Sequence, residues 1–131
     1  MLFRSVSAVV LNSGGANACT GPQGFADTHK TAELVAKKLN LSSSEIVVCS
    51  TGLIGELLPM EKIEKGIAAI SLDNEGFESS ASAIMTTDSV PKKMTVSRSG
   101  VTTSGIAKGA GMLAPALATM LSVIKIGRAH V

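Results

Sequence analysis

Two short apolar runs, each stopped by glycine, constrain this chain most. Residues 6–11 are followed by NSGG at 12–15, and residues 45–50 run into Thr51 and Gly52. Runs of this length, rich in β-branched residues and bounded by such signals, read as buried strands ending in tight turns. Between them, residues 27–39 read as a helix. Ala32, Val35, Ala36 and Leu39 share one face, and Lys30, Glu33, Lys37 and Lys38 lie mostly opposite. Asp27 is expected to cap its start and Asn40 to end it.

Further along, Pro59 suits a first helical position, with Met60, Ile63, Ile67 and Ile70 at helical spacing. Residues 75–85 read as a weaker helix rich in Ser and Ala. Residues 92–97 and 101–106 read as a hairpin joined through Arg98, Ser99 and Gly100, and residues 117–124 as a last strand. The expected fold is α/β or α+β, a mixed sheet with helices packed on it.

The 131 residues suffice for one domain with a core, and 45% hydrophobic against 17% charged residues fits a compact soluble protein. A net charge of +2, with three Phe and no Trp or Tyr, argues against a nucleic-acid or anionic-membrane partner. The first 19 residues resemble a lipoprotein signal, but their apolar stretch is too short. Residues 109–124 are uncharged, yet shorter than the roughly 20 residues of a spanning helix and interrupted by Pro115. A cytoplasmic protein is expected. Cys19 and Cys49 are read as reduced and buried or nearly so, and His29 as a surface residue.

The chemistry turns on Thr119, in the run KGAGMLAPALATML at 108–121. A Thr in a short apolar strand is ordinarily just a strand residue. Freed as a new N-terminus, it carries its own base, an α-amine with a pKa of roughly 7.7–8.0. Small residues around the Ala118–Thr119 bond would let the hydroxyl reach the preceding carbonyl.

Three upstream blocks accompany that run: NSGGANACTG at 12–21, CSTGLIG at 49–55 and AIMTTD at 83–88. In this order, with the ATML site, they resemble the bifunctional ornithine acetyltransferase / glutamate N-acetyltransferase family of arginine biosynthesis, from about residue 7 to residue 121. The resemblance implies a self-cleaving N-terminal-threonine acyltransferase fold. It implies cleavage between Ala118 and Thr119, then acetyl transfer from N-acetylornithine to glutamate through an acetyl-threonine intermediate. Thr119 would be the nucleophile and Thr51 and Gly52 the oxyanion hole. Lys108 and Thr86 would contact the substrate, with Thr87 close behind Thr86. Asp88 could equally cap a turn.

No cofactor or metal is implied, although some members also accept acetyl-CoA as donor. The partner implied is a second subunit, in a heterotetramer of two α and two β chains. The family more often has Asn where this chain has Gly15, which leaves a side-chain contact there in doubt. The glycine-rich block at 12–18 follows a strand and precedes a helix, but it lacks both the GKS/GKT ending and the GxGxxG spacing of nucleotide sites.

The ends read as unnatural. Residues 125–131 back-translate to a common sequencing-library adapter, so residues 1–124 are expected to be the acetyltransferase fragment and the tail foreign. The start reads as truncated, and the second subunit as missing after its first few residues. Such a fragment alone is expected to be inactive and to aggregate. A self-cleaving aminopeptidase of related fold and an inert glycine-rich binding module are the competing readings.

Overall fold

The computed structural model describes residues 6–72, 76–109 and 120–128. The chain divides into two compact units, residues 1–72 and 73–131.

The first unit runs β1 (Ala8–Gly15), α1 (Gly21–Leu39), a 3-10 turn (Ser43–Glu45), β2 (Ile46–Leu53) and α2 (Met60–Ala69). β1 and β2 pair in parallel, from Ala8 opposite Ile46 to Gly15 opposite Leu53. Parallel neighbours need a crossover, and α1 supplies it. Its apolar stripe closes the core: Val35 and Ala36 pack with Ile46 of β2 and Ile67 of α2, with Ala8, Val10, Val48 and Ile63 around them. Lys30 pairs with Glu64 at 3.5 Å, and Lys38 Nζ donates to the Ala68 carbonyl, fastening α1 to α2.

Three local expectations change. α1 starts at Gly21, six residues before Asp27, because Pro22 suits the first turn of a helix. Asp27 is therefore no cap. It is buried within α1, accepting from Gln23 through its carboxylate and from Thr31 through its carbonyl. Asn40 does end the helix in the left-handed conformation, with its N–H on the Ala36 carbonyl. The glycine-containing stops are not turns: both strands continue in register through them, to Gly15 and Leu53. Cys19 is exposed rather than buried, because it lies in the link between β1 and α1 and belongs to neither packed element; Cys49 is half-buried, and both are free thiols.

The second unit runs α3 (Gly76–Ala83), β3 (Lys92–Arg98), β4 (Val101–Lys108) and β5 (Leu121–Arg128). The strands form an antiparallel sheet in the order β3-β4-β5. Ser99 and Gly100, both at positive φ, make the two-residue turn of the expected hairpin. β5 pairs with β4 from Leu121 opposite Lys108 to Arg128 opposite Val101, so the ladder extends over residues 125–128. Ala81 and Ile84 are buried, as is Ile106 of β4, and Glu78 of α3 is ion-paired with Lys93 of β3. No helix of the described residues is long and apolar enough to cross a membrane.

Candidate active site

In the first unit, Gly14 and Gly52 face each other across the β1–β2 ladder, at φ +116° and +139°. A Cβ on Gly52 would overlap the Gly14 carbonyl and come within 2.6 Å of the Gly15 nitrogen. Glycine is required here because two backbones meet. The reach of one more atom decides Gly15 differently. Its Cβ would meet only Leu58 Cδ2, at 2.9 Å, a flexible side-chain end. A larger residue fits there if Leu58 shifts.

Thr51, beside Gly52, is buried. It opposes Ser13 in register. Side chains alternate along a strand, and Ile46 and Val48 point into the α1 core. Thr51 and Ser13 therefore lie on the sheet face away from α1. The Ser13 hydroxyl is buried without a hydrogen-bond partner among the described residues.

Asn17 organises the link from β1 to α1, a role its sequence position did not signal. Its N–H donates to Ser50 Oγ at 2.8 Å, and its side-chain amide donates to the Gly24 carbonyl and Thr28 Oγ1, each at 2.6 Å. Thr20 Oγ1 donates to its amide oxygen. The glycine-rich block thus binds its own helix start. An open cleft lined by Thr28, His29, Ala32, Glu33, Ile46 and Val48 includes none of the candidate residues.

In the second unit the structure brings Lys108 and Thr86 together. Lys108 ends β4, is buried, and its ammonium donates to Thr86 Oγ1 at 3.2 Å. Among the described residues this buried ammonium meets a neutral hydroxyl and no counter-charge, an arrangement that is costly by itself and suited to receive an anionic group.

Asp88 serves as more than a turn cap. Its buried carboxylate accepts the Gly109 N–H and is ion-paired with Lys92. The hydrogen bond from Lys92, helped by that of Gly109, holds the carboxyl below its ordinary range against the opposing effect of burial. The only sequence signal was the i, i+4 spacing of Asp88 and Lys92. Ala118 and Thr119 lie outside the described residues. No group of three His, Cys, Asp or Glu side chains that could hold a metal occurs among the described residues.

This mixed α/β arrangement has solved counterparts, among them an ornithine acetyltransferase. Ornithine acetyltransferase of Mycobacterium tuberculosis, solved with ornithine, superposes with a TM-score of 0.69 at 45% identity, over 86% of this chain and 62% of that one. The arginine biosynthesis bifunctional protein ArgJ of Bacillus halodurans superposes at 0.61 and 28% identity, over 93% of this chain and 56% of that one. The ArgJ family model matches residues 2–128, and the chain belongs to that family. It is 61% identical over 121 residues to the arginine biosynthesis bifunctional protein ArgJ of Streptomyces avermitilis, covering 91% of this chain and 32% of that protein. It is 54% identical over 127 residues to the same-named protein of M. tuberculosis, covering 89% of this chain and 31% of that protein. The chain thus spans about a third of the length of these curated relatives.

Proposed function

We propose that the full-length protein carrying this sequence transfers acetyl from N-acetylornithine to glutamate after cutting itself before Thr119. The buried Lys108 ammonium carries the reading. It sits against Thr86 with no carboxylate among the described residues, ready for the carboxylate of an amino-acid substrate.

The chemistry follows from one hydroxyl used twice. Thr119 Oγ attacks the Ala118 carbonyl, and the acyl group shifts from nitrogen to oxygen. Water then hydrolyses the ester, leaving the Ala118 carboxylate and a free Thr119 amine. That amine acts as base while Oγ attacks the acetyl carbon of N-acetylornithine. The amide C–N bond breaks and ornithine leaves with the proton. The glutamate amine then takes the acetyl group, and the threonine hydroxyl is restored. Both attacks create an oxyanion, and Thr51 and Gly52 are its proposed donors; losing one such donor costs about 10²–10³ in turnover.

A length relation supports the cut. This chain covers 31% of the curated M. tuberculosis protein but 62% of the solved chain from that organism, which is therefore about half as long. The second piece would be the partner subunit, in an assembly of two α and two β chains. Acetyl-CoA is a further candidate donor. Mass spectrometry of the full-length protein tests the reading: two pieces split before Thr119 are expected, and a single piece for Thr119→Ala. Uncut wild-type protein that still transfers acetyl would refute it. Release of N-terminal amino acids without acetyl transfer would point to the aminopeptidase instead.

A further inference from the structure

Gly109 is held at both of its backbone polar atoms. Its N–H donates to Asp88 Oδ2 at 3.1 Å and Oδ1 at 3.3 Å, and its carbonyl accepts from Lys92 Nζ at 3.3 Å. Asp88 and Lys92 are ion-paired with each other, so the contacts close a ring around one residue. The Asp88 side chain is 1% exposed and that of Lys92 42%. Gly109 itself has φ +123°, and a Cβ there would come 3.0 Å from Met120 Cβ. The ring lies one residue past the last β4–β5 pair, Lys108 with Leu121.

We propose that Asp88 and Lys92 are positioning residues that fix the Gly109 backbone, and through it the aim of the neighbouring Lys108 ammonium and the origin of the chain leading to Thr119. The inference rests on the self-cleavage reading above. A carboxylate suits this place because two oxygens can share one N–H while also facing an ammonium. An amide in its place keeps one acceptor but leaves Lys92 without its counter-charge. Misplacing reacting groups by about 1 Å can cost 100-fold in rate, so a residue that touches no substrate can still govern the chemistry.

The test uses the full-length protein with Asp88→Asn, Lys92→Met and Lys92→Arg. Readouts are the rate of chain cleavage by mass spectrometry, amide exchange at Gly109, and the urea midpoint. Asp88→Asn and Lys92→Met should slow cleavage about 10–100-fold and speed Gly109 exchange, while Lys92→Arg, which keeps the charge and donors, should restore both. Should Asp88→Asn fail to fold, the Met and Arg variants at position 92 decide. Folded Asp88→Asn and Lys92→Met proteins that cleave at the wild-type rate would overturn the inference. If the wild type itself does not cleave, the self-cleavage reading fails, and the positioning of Lys108 through Gly109 fails with it only where Gly109 exchange is also unchanged in the variants.

Discussion

Lys108 Nζ and Thr86 Oγ1, 22 residues apart in sequence, lie 3.2 Å apart at the end of β4. The hydroxyl can accept a hydrogen bond but cannot neutralise the ammonium. Lys108 is buried, and a buried cation without a counter-charge is costly until an anion joins it. Such a site favours an anion more strongly than an exposed lysine would.

Lys108→Met separates these two consequences. In this chain, removing a buried charge that has no acidic partner among the described residues should leave the urea midpoint unchanged or raised. In the full-length protein the same change should lower kcat/KM for the amino-acid substrate about 10–100-fold, the worth of a charged hydrogen bond. A lowered midpoint with unaltered kinetics would make Lys108 a structural residue.

Gly52→Ala should destabilise the first unit by about 3 kcal/mol or more. Alanine at φ +139° is strained, and its methyl group would strike the Gly14–Gly15 backbone. Gly15→Ala should cost much less, because only the end of Leu58 has to move. Urea unfolding of the two variants measures the contrast, and equal midpoints would remove the close approach as the reason for glycine at position 52.

These glycines also mark how far the sequence could be read. Periodicity located α1, α2 and the hairpin, because a buried stripe or an alternating strand leaves its repeat in the residues themselves. It misplaced the start of α1, since Pro22 and Gly21 determine that start and lie outside the apolar stripe. It turned the strands too early, because glycine signals a turn and a pinched strand pair alike. Lys108 and Thr86 were named through family resemblance, and their contact became visible only once β4 and the segment after α3 were folded together. The Asp88–Lys92–Gly109 ring was hidden for another reason. One of its members contributes only backbone, which no residue type announces.

Ser13→Ala should be neutral or stabilising by up to about 1 kcal/mol. The Ser13 hydroxyl is buried with no partner among the described residues, so its removal forfeits no hydrogen bond and relieves a desolvated polar group. Thermal unfolding of the variant checks this. A clear loss of stability would reveal a bond made by that hydroxyl.

The sheet of the second unit presents an apolar face. Met94, Gly105 and Ile124 form one cross-strand row and Val96, Thr103 and Ile126 the next, and the four large side chains are all more than half exposed. A patch of this kind on a sheet whose outer strands are β3 and β5 favours self-association. Light scattering should show this chain aggregating with concentration, and Ile126→Lys should reduce it. Equal scattering from both would place the sticky surface elsewhere.

Acid should unfasten Asp88. Its carboxyl is held below the ordinary range, chiefly by the hydrogen bond from Lys92. A depressed folded value adds stability that is fully present above the unfolded value of about 3.9 and is lost as pH falls through the lower folded value. Asp88→Asn lacks this contribution at every pH. The difference in urea midpoint between wild type and Asp88→Asn should therefore be constant above about pH 5 and shrink below about pH 4. Glu45, also held low by the Ser42 N–H and the Ser7 hydroxyl, titrates in both proteins and cancels in the difference. A difference that stayed flat down to about pH 2 would mean that Asp88 keeps its proton balance unchanged on folding, and that the Lys92 pair does not hold its charge.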